Sequence, residues 1–246
     1  LPTHHGQTAR KLLKMEWNYP VFERKVVSIP GSVKTEGTVA QAVEYALPRE
    51  EAFVYLAGKD RRPLLVLREC KTCNGTDDAL LSRAEDNSRT FLMARWFNCV
   101  KLPTHVLEEN HPFHALFDQK HPPHLFMARW DGSDVIPLKG DQSRTELWDT
   151  MLALLGNAYL GDPREAISEI EKVIAQYDVF DARIALIENR IDKTVEDDGP
   201  KSKKLKSLKK DLEEARGKLE DLKKREQHLS DLGLRKQEAQ TSPAGR

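Results

Sequence analysis

With 246 residues, 39% hydrophobic and 32% charged, the chain has room for one ordinary domain plus an extension and is too polar to be a single compact globule throughout. Its net charge of zero gives no global attraction to nucleic acid. There is no run of about eighteen apolar residues that would make a transmembrane helix, and three cysteines are too few for a disulfide-stapled scaffold.

Residues 1–37 read as an N-terminal extension, partly irregular. "VFERKVVSIP" (21–30) has the β-branched run of an edge strand, and Pro30-Gly31 turns the chain. The opening "LPTHHGQTARK" starts on Leu1 and carries no apolar signal-peptide stretch, so exported and cytoplasmic settings both stay open. From Thr38 to Ala57 the apolar positions recur at helical spacing, with Pro48 breaking or restarting the helix and Gly58 ending it. "RPLLVLRE" (62–69) is a continuous apolar run of strand length, the pattern of a central strand buried on both faces. Cys70 follows at once, and Cys73 three residues later.

"TDDALLSRAEDNS" (76–88) is expected to be helical, with Asp77 and Asp78 at its positive end. "TFLMARWFN" (90–98) is expected as a second strand, followed by an irregular histidine-rich stretch from Lys101 to His121. "HLFMARW" (124–130) is a third strand, Asp131-Gly132 a hairpin turn, and "DVIPLKG" (134–140) the return strand. "MARW" thus occurs twice, at 93–96 and 127–130, and is taken as two similar core strands. Trp96, Trp130 and Trp148 read as packing residues. Ser143 and Glu146 make a capping-box pattern that opens a helix through Leu160.

From Asp162 the pattern changes. Ile167, Ile170, Ile174, Tyr177, Ile184, Ile187 and Ile191 follow 3–4 spacing. "DDGPKS" (197–202) interrupts, and Leu205, Leu208, Leu212, Ala215, Leu219, Leu222, Leu229 and Leu232 resume heptad spacing with Glu226 as the break. Two amphipathic helices joined by a short turn predict an antiparallel coiled-coil hairpin over 161–235, with a polar tail at 236–246. Six lysines between Lys201 and Lys210 read as a solvated face.

By itself the cysteine pair is compatible with a redox dithiol, half of a metal site, or a structural pair. His105, His111, His114, His121 and His124 cluster in sequence but match no standard ligand spacing, and Cys99 reads as a buried apolar residue.

The order helix, buried strand, CxxC, helix, strand, proline, hairpin, helix over about 40–158 resembles the thioredoxin-like family. Cys70-Lys71-Thr72-Cys73 falls where a strand hands over to a helix. Pro123 stands where the family carries a cis-proline before its hairpin, and Gly140 precedes the closing helix. The resemblance implies an α/β fold, a thioredoxin-like domain over 38–160 followed by the helical hairpin. It implies thiol–disulfide exchange on protein thiols or disulfides, with Cys70 as nucleophile, Cys73 as resolving thiol and Pro123 shaping the site. Lys71, Thr72, Pro122 and His124 would flank the substrate, with no cofactor and no metal ligand. A helix N-terminus at Cys70 would favour its thiolate; Lys71 would add to that and Glu69 oppose it. The chain departs from the family pattern at four places. Glu69 replaces the aromatic before the first cysteine, Lys71-Thr72 replace Gly-Pro, and Leu64 replaces the buried acid. Pro122 has no N–H to offer a docked substrate strand. Two other readings stand beside exchange chemistry. One is a redox-silent interaction protein that uses residues 161–235 for a partner or homodimer; the other is a thiol/imidazole metal binder. Neither nucleic acid nor a membrane span is expected.

Overall fold

The computed structural model describes residues 5–20, 46–70, 80–82, 86–138 and 142–236. The chain divides into two compact units. One comprises Leu1–Met15, Ser82–Arg95 and Leu155–Gln237; the other comprises Glu16–Leu81, Trp96–Leu154 and Glu238–Arg246.

The second unit is built on a four-stranded mixed sheet in the order β2-β1-β3-β4. β1 (Leu64–Arg68) is buried at all five positions, as its unbroken apolar run requires of a central strand. It pairs in parallel with β2 (Asn98–Leu102) and antiparallel with β3 (Leu125–Ala128), in the register Val66↔Val100 and Val66↔Phe126. β4 (Ile136–Leu138) returns antiparallel to β3. Beyond β2 the chain at Asn18 makes an isolated parallel bridge to Val100.

The β3–β4 hairpin forms as its Asp-Gly turn predicts, although the loop is longer than two residues. Arg129 N–H donates to the Ser133 carbonyl, and the Asp131 carboxylate accepts from both Ser133 N–H and its hydroxyl. Gly132 sits at φ +83, and a Cβ there would collide with the Phe53 ring.

α2 (Arg49–Ala57) starts directly after Pro48 and ends at Gly58, at φ +57. Its Phe53 and Leu56 pack with Val66, Val100, Leu102 and Phe126 on one face of the sheet. The Phe53 and Phe126 rings meet edge to face at 5.9 Å. The expected start at Thr38 lies largely outside the described residues, as do the expected strand at 21–30 and most of the expected helix at 76–88.

α4 (Arg144–Ala158) opens under Ser143, whose hydroxyl accepts from Glu146 N–H at 3.1 Å.

One strand expectation fails. Residues Ser88–Ala94 form a helix, α3, and the strand follows only at Asn98. A short apolar run has no period that separates a buried strand from a buried helix turn. At the start of the helix, Ser88 N–H donates to the Asp86 carboxylate, and Asn87 bonds both backbone groups of Ser82. The two "MARW" copies therefore differ, the first closing α3 and the second leading out through β3. Trp96 and Trp130 are buried as expected. Trp148 is half-exposed, with the Arg144 guanidinium over its ring.

The other unit is helical. α5 (Pro163–Asp198) has 36 residues and α6 (Lys204–Ser230) has 27. At 1.5 Å per residue, α5 is roughly 54 Å long. Asp162 caps it by accepting from Arg164 N–H, with Pro163 in the first turn, where its missing donor costs nothing. The helices pack antiparallel across Ile170, Ile174, Tyr177 and Ile187 on α5 and Leu205, Ala215 and Leu219 on α6. Ion pairs Asp198–Lys204, Glu188–Arg216 and Glu169–Arg225 mark the register along the pair. Leu208, Leu212, Leu222 and Leu229 are only half-buried.

Glu226, the break in the heptad pattern, is 6% exposed and bonds Arg95 at 2.6 Å and the Ser230 hydroxyl at 2.6 Å. α3 also packs on α5, where Arg89 makes a bidentate pair with Glu171 at 2.9 Å. The short α1 (Gln7–Leu12) docks on α5 through two aspartates one turn apart: Asp178 accepts from Gly6 N–H and Asp181 from Thr8 N–H, each at 2.7 Å. Among the described residues, no helix is long and apolar enough to cross a membrane.

Two outcomes are expected. Leu219→Asp places a carboxylate in the α5/α6 seam and should destabilise the helical unit by about 3 kcal/mol or more, read as loss of helical circular dichroism on denaturant titration. Burial, and then the Glu226 carboxylate, push the Tyr177 phenol up to about 12. That lies above the unfolded value near 10, so its contribution to stability is whole below about pH 10 and is lost as pH rises through about 12. Alkaline titration at the tyrosinate absorbance should show one phenol ionising late, together with helix loss.

Candidate functional site

Cys70 lies two residues beyond the end of β1, half-buried. The strand's hydrogen bonding continues almost to it. Arg68 N–H donates to the His124 carbonyl on the β3 side, and Glu69 N–H donates to the Leu102 carbonyl on the β2 side, both at 2.8 Å. The backbone leading to Cys70 is therefore held from both edges, and residues 122–124 are tied to the same end of the same strand.

The second tie is the Arg68 side chain, which is 7% exposed. Its Nε donates to the Pro123 carbonyl at 3.3 Å, and Nη2 donates to the Pro122 carbonyl at 3.3 Å and to His124 Nδ1 at 3.4 Å. Nη1 reaches the Glu69 carbonyl at 3.5 Å, and the guanidinium stands 5.9 Å from the Phe117 ring centre. Burial, and then the Arg68 charge, lower the pKa of His124, which suits an imidazole that accepts from an arginine.

Of the residues singled out from sequence, Cys70, Pro122, Pro123 and His124 come together at this strand end. Lys71, Thr72, Cys73 and Gly140 lie outside the described residues. No peptide bond among the described residues is cis, so the Pro122–Pro123 bond is trans where the resemblance implied a cis-proline. The structure adds Arg68. Its signal in the sequence was an arginine closing an otherwise apolar buried strand, a position that demands compensation.

The His105 and His111 rings stack edge to face at 5.0 Å, and His111 Nδ1 accepts from Phe113 N–H. His114 Nδ1 is buried without a hydrogen-bond partner in the structure. Among the described residues there is no group of three or more His, Cys, Asp or Glu placed to hold a metal ion. Cys99, within β2, is 4% exposed, and burial raises its thiol to about 12. It lines the floor of a cleft of about 700 Å³ between Trp17, Tyr19 and Tyr55.

A Ser–His–Asp constellation invisible in the sequence occurs in the helical unit. His5 Nδ1 lies 2.7 Å from Asp178, and His5 Nε2 lies 3.2 Å from the Ser88 hydroxyl. It does not assemble a nucleophile. Ser88 gives its single proton to the Asp86 carboxylate at 2.7 Å, so His5 is not its base. The cluster fastens α1 and the start of α3 to α5. No protein-family model, curated protein or solved structure matches this chain.

Cys99 is thus expected to stay unmodified by iodoacetamide in the folded protein at pH 8 and to label fully in denaturant, as peptide mass spectrometry would read. Labelling of Cys99 under native conditions would show that β2 opens locally.

Proposed function

We propose that the sheet unit is a thioredoxin-like domain that carries out thiol–disulfide exchange through Cys70 and Cys73. The observation that carries this reading is the place of Cys70. It follows the central strand, which has a parallel neighbour on one side and an antiparallel hairpin on the other, and residues 122–124 are bonded to that strand end. The strand order β2-β1-β3-β4, with one parallel and two antiparallel pairings and a helix after β4, supports the resemblance.

In the reaction the Cys70 thiolate attacks one sulfur of a substrate disulfide. A Cys70–substrate disulfide forms and the other substrate sulfur leaves as a thiolate. Cys73, as thiolate, then attacks the Cys70 sulfur and releases the second substrate sulfur. Two electrons pass from the protein dithiol to the substrate disulfide, and the protein is left with a Cys70–Cys73 disulfide. The missing Pro122 donor points to a restricted range of docked partners.

A second reading rests on the outer face of α5. Ala175, Val179, Ala182 and Leu186 repeat at heptad spacing there, and Val179 and Leu186 are 65% and 51% exposed. This favours the α5/α6 pair as a coiled-coil arm for a protein partner or a second copy, with the sheet unit as a redox-silent platform.

One experiment separates them. In a Cys73→Ser variant, exchange chemistry predicts mixed disulfides through Cys70 that are resolved by dithiothreitol. It also predicts a Cys70–Cys73 couple in the unaltered protein with a reduction potential between about −270 and −120 mV. If no Cys70–Cys73 disulfide forms in any glutathione buffer, the exchange reading is lost and the interaction reading stands.

A further inference from the structure

Arg68 as a residue is more than nine-tenths buried, and every acceptor its guanidinium meets is neutral: three backbone carbonyls and an imidazole. No carboxylate of the described residues forms an ion pair with it. A buried charge left without a counter-charge is costly, and an arginine that only needed to tie two loops together could be replaced by neutral donors. We infer that Arg68 is a positioning residue whose charge is balanced by the thiolate of Cys70, and that it acts on reactivity through that thiolate. This rests on the exchange reading of Cys70 and names the group that sets its reactivity.

Side chains two apart on an extended strand share a face, roughly 7 Å from one another along the chain. The chain is extended there, since Arg68 N–H and Glu69 N–H bond to opposite neighbours. Arg68 and Cys70 therefore lie on one side of the sheet end, and Glu69 on the other. The β2 residue paired with Arg68 is the uncharged Leu102, whereas Lys101 pairs with Leu67 and so shares the opposite face, over the Trp17 ring. From the 121–124 segment the titratable groups are His121 and His124, and His124 Nδ1 is already an acceptor for Arg68. Among the described residues of β1, β2 and the 121–124 segment, Arg68 is thus the fixed positive charge on the Cys70 side of the strand. The Pro122 and Pro123 carbonyls hold its planar fork from one direction and the Phe117 ring covers it from another.

The test is the pH–rate profile of iodoacetamide alkylation at Cys70 in the full-length reduced protein. Trypsin cuts at Lys71, so the two cysteines of the pair are scored separately. The unaltered protein should alkylate with a midpoint below the ordinary thiol value near 8.5. Arg68→Met should move the profile up by about one pH unit or more, and so slow the reaction at pH 7 about tenfold, as expected for one charge at this distance in a medium of effective dielectric about 20. Arg68→Lys, which keeps the charge without the fork, should restore much of the shift.

A structural tie alone would lower the thermal midpoint of Arg68→Met and leave the alkylation profile in place, and that result overturns the inference. If Arg68→Met fails to fold, the unaltered protein still decides: a Cys70 midpoint at or above 8.5 sinks the proposal. The two readings fail separately. A low midpoint with no disulfide couple keeps the role of Arg68 and removes exchange chemistry; a working couple with an ordinary midpoint does the reverse.

Discussion

The sheet unit depends on β1 having no free surface. Five residues are buried on both faces, and both edges of the strand are bonded, one to a parallel neighbour and one to an antiparallel one. A parallel neighbour cannot be reached by a tight turn, so the chain must leave the sheet after Arg68 and return at Asn98. The antiparallel neighbour must arrive from the opposite direction, which brings residues 122–124 to the strand's C-terminal end. The half-buried position of Cys70 follows from these two demands. A strand that ends between two neighbours delivers its next residues to the edge of the core, neither inside it nor free in solvent.

The helical unit answers a different constraint. Neither long helix can bury its apolar stripe alone, and each supplies the other's missing face. The turn between them runs against both helix dipoles: Asp197 and Asp198 end α5, while Lys203 and Lys204 begin α6 with no acidic residue in its first turn. Taken singly, each helix has the wrong charge at that end. Together the two ends are complementary, and Lys204 pairs with Asp198 at 2.9 Å. An exposed pair of this kind contributes about 0–1 kcal/mol, too little to drive folding. Its value lies in fixing which residues face one another across the turn. Glu226 is a polar fixture of the same kind inside the seam, a buried acid that commits Arg95 and Ser230 to one arrangement.

Several features were legible because their physics is local. The β1 run, the Asp-Gly hairpin, the Ser143 and Asp162 caps and the two long helices each rest on a pattern of neighbouring residues. The misread segment, 90–98, is one where local pattern is mute: the apolar run "FLMA" has no period that separates helix from strand, and the chain forms α3 there, with Asp86 and Ser88 bonded to each other at its start. Ser82–Arg95 lies in sequence between two strands of one unit, yet groups with the long helices of the other. Contiguity in the chain carries no information about that.

The sequence by itself determined that a cysteine follows a buried strand and that a proline pair stands shortly before a hairpin. It also determined that two amphipathic helices close the chain. Those are statements about spacing, and spacing is written in the residues. Only the tertiary structure decided that Arg68 lies buried against the carbonyls of Pro122 and Pro123. Only it decided that His105 and His111 meet each other while His124 meets Arg68, and that Glu226 meets Arg95 across 131 residues of chain. A charge is costly to bury wherever it sits, and the sequence announces that cost. The groups that offset it come from other elements, and folding alone brings them within reach.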